Sequence, residues 1–549
     1  MELPATVVER LERLAPDQRA AATAPSGPIL CVAPAGSGKT TTLVARTAWL
    51  IATGTPPDAI RAITFNKRAA EEMTERLDAA VAPLGVAAGA VAVRTFHALG
   101  REILRDAGVP VEPLADRDAL LRELRPDADD AERLRLDTAI SRLKLELGVT
   151  AAQVAADPAA GPTASTFVAY ERAVAASGGL DFDDLVLRAI ATLEADSSLL
   201  QRWRGRCQEL LVDEVQDVDR AQLRLALLLA APANRIFLVG DDDQSIYGWR
   251  LADVRRVLSL DAVLPGLRRV DLEVNHRCPP AVVERAVRLV ERNRERFAKR
   301  IRAGVRAQGR IVLAPDGRDE VVRLRRALET WPNDGSTRAV LARTNRELLP
   351  AVVVALELGW PFRAPRIELL IEDPTIDALL ETAAATTDPR LPLLVRLGVM
   401  RELAVTEAGA ITDAGANPDA GRPAVAAALV GWVAGFRDLA TFAAAVRATR
   451  DRLQELRRDD APFSLATAHS TKGLEFDHVV VIGMESGRFP SRRSVQDAED
   501  PTRALEEERR LGYVAWTRAR KTLTLLYDPL APSQFLLEAF SPAELGIPA

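Results

Sequence analysis

The residues best suited to chemistry in this chain lie in a glycine-rich stretch, "APAGSGKT", at residues 33–40. Backbone N–H groups in such a loop can converge on phosphate oxygens where the following helix begins. Lys39 can neutralise the β and γ phosphates of a nucleotide, and Thr40 can ligate Mg²⁺. A glycine-rich turn with a purely structural role is the alternative, but the buried run "PILCVA" before the loop favours phosphate binding. The donors expected to face the phosphates are the N–H groups of Gly36, Ser37 and Gly38.

An acidic pair follows a second apolar run, in "LLVDEVQD" at residues 210–217. Acidic pairs at strand ends are common, and alone they indicate little. Beside a phosphate-binding loop, however, Asp213 can hold Mg²⁺ through water, and Glu214 can orient and deprotonate an attacking water molecule. The two stretches together predict a nucleotide hydrolase that uses Mg²⁺.

A third stretch, "VGDDDQSIYGWR" at residues 239–250, combines charge with aromatic rings. Its three adjacent aspartates repel one another, so we expect a polar or ionic group to meet them. Gln244 can sense a γ-phosphate. Tyr247 and Trp249 could stack on nucleic-acid bases, a contact worth ~1–3 kcal/mol per base. The alternative is that both rings belong to the hydrophobic core.

Composition limits the class of protein. The 549 residues are too many for one core. No apolar run approaches the ~18 residues that a membrane span needs. The N-terminal residues include acidic side chains and lack the apolar segment of an export signal. Three widely spaced cysteines form neither a metal pattern nor a disulfide framework, so we expect a cytoplasmic protein with no membrane partner.

The charged residues are unusual in type. The net charge of −5 gives no global basic field, so a nucleic-acid partner requires positive charge gathered in a groove. A GC-rich coding sequence accounts for the scarcity of lysine. Where arginine is the default cation, each retained lysine is a candidate for a role that arginine cannot fill. The lysines are Lys39, Lys67, Lys144, Lys299, Lys472 and Lys521.

Short apolar runs alternate with helical patterns along most of the chain, which predicts the α/β class with parallel sheets covered on both faces. The runs form two sets, so we expect two α/β cores, each interrupted by a helical insertion. The predicted divisions are 1–95 with 181–266 for the first core, 96–180 for its insertion, 267–370 with 462–535 for the second core, 371–461 for a short second insertion, and 536–549 for a C-terminal tail.

Taken in order, these motifs resemble those of superfamily 1A DNA helicases of the UvrD/Rep/PcrA type, and the resemblance covers nearly the whole chain. That family also tolerates alanine at the first position of the phosphate loop, where Ala33 stands. The matching segments are "LAPDQRAA" (14–21), "APAGSGKT" (33–40), "AITFNKRAAEEMTER" (62–76), "RTFHALG" (94–100), "LDFDDL" (180–185), "LVDEVQD" (211–217), "VGDDDQSIYGWR" (239–250), "LEVNHRCPP" (272–280), "LARTNREL" (341–348), "TAHSTKGLEFDHV" (467–479) and "EEERRLGYVAWTRAR" (506–520).

The resemblance implies a fold of two RecA-like cores and a role for each matching residue. Gln18 would hydrogen-bond the adenine, Glu475 the ribose, and Arg277 with Arg518 would reach the γ-phosphate from the second core. An arginine delivered across a cleft stabilises phosphoryl transfer only when the cleft is shut. The remaining ATP-binding residues would be Ala35, Gly36, Ser37, Gly38, Lys39, Thr40, Thr41 and His276, with Thr40 and Asp213 at Mg²⁺. The single-strand track would comprise Phe65, Asn66, His97, Phe182, Tyr247, Trp249, Arg250, Asn345, His469 and Lys472. For Phe182 and His97, core packing is the alternative.

Three positions depart from the family pattern. His276 replaces the tyrosine that stacks on adenine, so its smaller ring implies weaker base selectivity. Thr41 stands where an arginine usually follows the loop threonine. The second insertion has only about ninety residues, far fewer than the 2B subdomain of relatives.

The resemblance implies an ATP-dependent 3′–5′ single-stranded DNA translocase and helicase that acts on single strands and on junctions with duplex, as a monomer or weak dimer. The polarity follows from the resemblance alone. Two alternatives remain: the motor of a helicase–nuclease or defence complex with repair or nuclease partners, and a translocase that strips proteins from DNA without net unwinding.

Overall fold

A computed structural model of the protein describes residues 3–156, 161–304, 308–332 and 436–546, together with 334–399 except 366, 368, 374, 387, 389 and 394. The predicted α/β class with two RecA-like cores is confirmed. The chain forms two six-stranded sheets whose pairings are all parallel, with helices packed against them. None of the helices in the described part of the chain has the length and apolar character that crossing a bilayer requires.

The first sheet positions the three predicted chemical stretches. Its strands are β1 (Ile29–Val32), β2 (Ile60–Thr64), β3 (Ala92–Thr95), β4 (Glu209–Val212), β5 (Ile236–Gly240) and β6 (Arg268–Asp271). They lie in the order β3-β2-β4-β5-β1-β6. The central strands are buried along their whole length, as apolar runs in parallel sheets are. Because the carboxyl ends of parallel strands meet at one edge, the phosphate loop, the acidic pair and the aspartates gather there.

The second sheet has the order β11-β12-β10-β13-β14-β9. These strands are β9 (Arg310–Pro315), β10 (Arg338–Ala342), β11 (Phe362–Arg363), β12 (Phe463–Thr467), β13 (Phe476–Val481) and β14 (Ala519–Tyr527). A separate two-stranded sheet pairs β7 (Val274–Asn275) with β8 (Arg302–Ala303), just after the last strand of the first core. The short strands β3, β8 and β11 were not predicted, because two to four residues give too little pattern.

Helices cover both sheets. Those of the first core are Ala5–Glu12, Pro16–Ala22, Lys39–Ala52, Lys67–Val81, Phe96–Asp106, Asp184–Ala195, Ser197–Arg206, Arg220–Ala230 and Val254–Leu258. Those of the second core are Pro280–Val290, Glu320–Glu329, Leu349–Leu358, Arg492–Gln496, Pro501–Trp516 and Gln534–Ala539. The first insertion contains Arg117–Leu124, Asp130–Ser141, Ala151–Ala155 and Pro162–Ala176, with a π-helical turn at Arg142–Leu147.

The first core extends beyond the predicted boundary at residue 266. Strand β6 pairs with β1 along its whole length, from Ile29 opposite Arg268 to Val32 opposite Asp271. The prediction was wrong here because "RRVD" shows where a strand lies but not which sheet it joins. Strands β1 and β6 are more than two hundred residues apart in the chain, so their pairing is set by tertiary structure.

The predicted start of the first insertion at residue 96 also needs correction. The helix Phe96–Asp106 buries Phe96, Leu99 and Ile103 in the same cluster as Ile190 of the first core. The separate core of the insertion begins later, and its buried members are Leu121, Leu136, Ile140, Phe167, Tyr170 and Val174.

Residues 536–549, predicted as a tail, pack into the second core up to Leu545. Leu536, Ala539 and Phe540 are buried beside Trp516 in one hydrophobic cluster. The segment is short, but its apolar spacing is that of a docked helix rather than of a free end.

The second insertion retains a small core of its own. The helices Thr375–Thr386 and Leu439–Leu456 contribute to one apolar cluster, and the second of them continues into the second core through Leu453 and Leu456. The Gly/Asp/Pro-rich stretch "TDAGANPDAGRP" at residues 412–423, which predicts a break between helices of this insertion, lies outside the described residues.

Candidate nucleotide site and single-strand groove

The phosphate loop connects β1 to the helix that begins at Lys39. Gly36 and Gly38 have φ of 69° and 81°, in the left-handed region that favours glycine. A Cβ on Gly36 would lie 2.7 Å from both Arg277 Cβ and Asn275 Oδ1, so another side chain would not fit. Within the described chain, the buried Ser37 Oγ has no hydrogen-bond partner. A phosphate oxygen would give this hydroxyl the partner that a buried polar group requires.

Two neighbours brace the loop. Gln18 Nε2 donates to Ser37 O at 2.7 Å, while Gln18 Oε1 accepts from Ala15 N at 3.0 Å. The N–H of Ala35 donates to the hydroxyl of Tyr513 at 3.3 Å. Gln18 therefore lies at the loop as predicted, and its role in reading adenine stays a prediction. Thr41 follows on the first helical turn with an exposed side chain.

The acidic pair lies opposite Lys39. Lys39 Nζ is 3.4 Å from Glu214 Oε2, and Gln216 Nε2 donates to the same carboxylate. Burial opposes ionisation of Glu214, yet the charges of Lys39 and Lys472 hold its pKa at about 2. Burial, together with the charge of Glu214, raises the pKa of Asp213 to about 7. Glu214 is thus the charged member at neutral pH, which suits a group that orients water.

The donor set fits ATP with Mg²⁺. A threonine hydroxyl at Thr40 and the carboxylate of Asp213 are hard oxygen ligands of the kind that Mg²⁺ prefers. Burial, and after it the charge of Glu214, raises the pKa of Asp213. A divalent cation would offset both effects, and it would favour the ionised form of the carboxylate.

The second core reaches the loop directly. His276 N donates to Gly36 O at 2.8 Å, which places Arg277 beside the phosphate loop. The Arg277 guanidinium forms an ion pair, at 2.7 Å, with Glu475, which is the predicted ribose ligand. Arg518 is buried, and its Nη2 lies 3.3 Å from Gln244 Oε1. Burial and the charge of Arg277 lower the pKa of Arg518 to about 10, so it stays a cation at neutral pH.

The structure therefore brings together the predicted residues of the two cores at one cleft. His276 is exposed. The individual roles of these residues toward ATP stay predictions.

Lys472, predicted for the single-strand track, contacts residues of the first core. Its ammonium forms an ion pair with Asp217 and donates to Gln244 O at 2.7 Å. It also lies 5.2 Å from the centre of the Tyr247 ring. Motif spacing does not show which way the side chain turns, and the buried charge of Asp217 decides it. Lys472 thus joins the second core to the residues between the nucleotide and the groove.

The three aspartates receive the ionic partner that the sequence demands. Lys299, only 1% exposed, contacts all three carboxylates, with distances of 2.8 Å to Asp241 and 2.9 Å to Asp243. Arg296 adds a bidentate pair to Asp243. Asp241 in turn accepts from Gln244 Nε2 at 2.6 Å, so the cluster orients Gln244.

Sequence reasoning did not assign Lys299 or Arg296 to the site. The scarcity of lysine was the available signal for Lys299. We call residues 241–250 the coupling loop, because the loop leads from this cluster to the aromatic groove.

The groove lies between the first core and its insertion and has a volume of about 1400 Å³. Two stacked pairs mark it: Phe65 with Tyr247 at 5.1 Å between ring centroids, and His97 with Phe182 at 3.9 Å. Phe182 is 54% exposed and Trp249 is 52% exposed, which excludes core packing for these two rings. Of the predicted track residues, the groove is lined by Phe65, Asn66, His97, Phe182, Trp249 and Arg250.

The other predicted track residues lie elsewhere. Tyr247 stacks under the groove and packs partly against the second core. His469 is largely enclosed, and burial and the charge of Arg343 lower its pKa to about 4. Asn345 is exposed on the second core, just beyond β10. Asn66 lines the groove, but its side chain also caps the helix Lys67–Val81 by accepting from Ala69 N at 2.9 Å.

A second buried ionic cluster supports Phe182. Lys144 Nζ contacts Asp181 at 2.8 Å and Asp184 at 2.9 Å, residues that flank Phe182 in the sequence. Arg117 adds contacts at 2.7 Å to Asp181 and 2.6 Å to Asp183. Lys144 lies in the π-helical turn, a distortion that often occurs at functional positions. The insertion thus holds the segment that carries Phe182 in place through ion pairs.

Two family models match the chain. The UvrD/REP helicase N-terminal domain covers residues 14–265, and the UvrD-like helicase C-terminal domain covers residues 434–528. DNA helicase II of Salmonella typhimurium is 30% identical over 94% of this chain and 84% of its own length. ATP-dependent DNA helicase PcrA of Staphylococcus epidermidis is 27% identical, over 95% of this chain and 83% of its own.

The chain belongs to the UvrD/REP helicase family. A further relative, ATP-dependent DNA helicase UvrD1 of Mycobacterium tuberculosis, is 29% identical over 95% of this chain and 83% of its own length. The alignment with DNA helicase II spans 615 positions, more than the 549 residues present here. Relatives in the UvrD/REP family therefore carry segments that this chain lacks, in keeping with its short second insertion.

Proposed function

We propose that this chain is an ATP-dependent motor that moves 3′ to 5′ along single-stranded DNA and separates duplex DNA. The observation that carries the proposal is the coupling loop. Its first part holds Gln244 against Arg518 of the second core, and its last part presents Trp249 to the groove. One short segment thus links a γ-phosphate sensor to a base-stacking ring. The curated relatives are named as DNA helicases, which supports DNA as the track.

The hydrolytic chemistry follows from the charged groups at the nucleotide site. Bound Mg²⁺ would neutralise charge on the phosphates. Lys39 would bind the β and γ phosphates, while Thr40 and Asp213 would hold the metal. Glu214, ionised at neutral pH, would orient the attacking water, and Arg277 with Arg518 would stabilise the transition state.

Nucleotide binding would control the separation of the cores. With a γ-phosphate present, the arginines gain a partner and the cleft is held shut. After hydrolysis that partner is lost and the cores separate, so the ligand biases a two-state equilibrium. Strand movement results if the groove grips unequally in the two states. The groove would hold phosphates and stacked bases without reading sequence.

The short second insertion favours a second candidate function. In relatives the corresponding subdomain is larger, and here its described residues form a small apolar core. Loss of a duplex grip would leave a translocase that displaces bound proteins without net unwinding. The same reduction could instead free the monomer to unwind.

A polarity assay tests the proposal. The chain is incubated with ATP and Mg²⁺ and with duplexes that carry a 3′ tail, a 5′ tail or no tail, using Glu214→Gln as the inactive control. We expect unwinding of the 3′-tailed duplex alone. Preference for the 5′ tail would overturn the polarity. Rapid movement on single strands without unwinding would select the second candidate, and DNA-independent ATPase activity with no movement would reject both.

A further inference from the structure

The helix Pro501–Trp516 of the second core runs past the coupling loop of the first core. Beyond its end, Arg518 approaches Gln244 in the nucleotide half of the loop. In the middle of the helix, Glu507 Oε1 accepts the N–H of Gly248 at 2.9 Å, in the groove half. The helix and the turn after it thus touch both halves of the loop, and the contact at Gly248 is next to Trp249.

The contact at Gly248 is close enough to exclude a side chain. A Cβ there would lie 2.5 Å from Glu507 Oε2 and 3.0 Å from Oε1. Gly248 begins the 3-10 turn Gly248–Arg250, a conformation open to other residues, so space rather than backbone geometry requires the glycine. The carboxylate therefore packs directly against the backbone that carries Trp249.

Glu507 has the properties of an anchor. It lies among buried neighbours, Glu506 and Glu508, whose carboxylates serve other partners: Arg294 N and Arg343. A hydrogen bond from an amide N–H to a charged carboxylate is stronger than a neutral one and strongly directional. The contact also joins two cores, so it exists only while the cores are together.

We propose that Glu507 is a positioning residue that fixes Trp249 when the cleft is shut and releases it when the cores separate. This inference rests on the proposed motor function. It supplies a physical reason for unequal grip: the stacking ring has a second-core anchor in one state and lacks it in the other. Glu507 is not among the residues that line the groove, and it acts through the backbone of the loop.

The test measures nucleotides advanced per ATP on single-stranded DNA, from translocation and ATPase rates taken under the same conditions. Glu507→Ala is expected to lower this ratio about 3- to 10-fold, because the anchoring bond is lost. Glu507→Gln keeps an acceptor oxygen and should stay within about twofold of the wild type. Glu284→Ala, in an exposed pair with Arg288, is the matched control.

A double-mutant cycle separates positioning from general disruption. Gly248→Ala should lower the ratio by pushing the carboxylate away, and adding Glu507→Ala should cause no further loss. Wild-type coupling in Glu507→Ala, equal loss in Glu507→Gln, or losses that multiply in the double variant would each overturn the inference. If the wild-type chain itself does not advance along single strands, the proposed function fails, and this inference fails with it.

Discussion

The nucleotide site and the single-strand groove are held together in different ways. At the nucleotide site, contacts of buried charged groups join the two cores, such as Arg518 with Gln244 and Lys472 with Asp217. In the groove, half-exposed rings stack in pairs that come from the first core alone, His97 with Phe182 and Phe65 with Tyr247.

The difference reflects what each site must do. Phosphoryl transfer requires charges fixed in advance, because a preorganised site spends no energy on rearrangement during the reaction. A strand that moves must be gripped without regard to sequence and then released, which flat aromatic faces allow. We therefore expect substitutions at the nucleotide site to abolish turnover, and substitutions in the groove to spare turnover while reducing movement.

The largest effect is expected from Lys39→Ala. The variant loses the cation that binds the phosphates and leaves Glu214 without its counterion at 3.4 Å. The value of kcat/KM for ATP should fall at least about 10³-fold, measured by steady-state hydrolysis with saturating single-stranded DNA. Lys521→Ala, at a half-exposed lysine on β14, is the matched control. Near-normal turnover in Lys39→Ala would place the phosphates elsewhere.

Glu214→Gln should separate binding from chemistry. The amide keeps the shape of the side chain but cannot accept a proton, so kcat should fall about 10²- to 10³-fold. ATP and single-stranded DNA should still bind, as measured by fluorescent-nucleotide titration and by anisotropy. If this variant turns over normally, the base is another residue.

Trp249→Ala should show the opposite pattern. Removing a stacking ring costs ~1–3 kcal/mol of DNA contact, so affinity for single strands should fall about tenfold and movement per ATP should decrease. DNA-free ATPase activity should persist, because Trp249 lies outside the nucleotide site. Trp249→Phe retains a ring and is expected to keep most of the movement. Equal loss of ATPase and movement would erase the contrast between the two sites.

The smallest effect concerns pH. Burial lowers the pKa of His97 to about 4 in the folded chain, whereas an unfolded chain has a value near ~6.5. As pH falls from 7 to 4, the unfolded histidine takes up a proton that the folded one does not. Wild-type stability should therefore decrease relative to His97→Phe, by about 1–3 kcal/mol.

Denaturant unfolding of both proteins at several pH values measures this difference. Phenylalanine preserves the stack on Phe182, so the two proteins are compared at pH 8 first. Parallel pH profiles would show that the pKa of His97 is the same in the folded and the unfolded chain.

Particular residues show how far sequence reasoning reaches. The three adjacent aspartates of the coupling loop predict a cation beside them, but the sequence does not identify that cation as Lys299. Lys299 is 56 residues after Asp243 in the chain, and its Nζ lies 2.9 Å from the Asp243 carboxylate. The motif of Lys472 is visible in the sequence, but its ion pair with Asp217 is not, and its contact with DNA stays a prediction. Glu507 lies within the motif at residues 506–520, but the sequence predicts no role for it. Its partner is the backbone N–H of Gly248, which no side-chain pattern reveals.

The sequence by itself determined the local chemistry: a strand followed by a phosphate loop, an acidic pair after another strand, and aromatic residues following Gln244, the proposed γ-phosphate sensor. These features depend on neighbours within a few residues, whose geometry the backbone sets. Only the tertiary structure decided which cation meets which carboxylate, where each core ends, and how Arg518 and Glu507 reach the coupling loop. Those contacts join residues that are far apart in the chain, and they depend on how two cores pack, which spacing along a sequence does not encode.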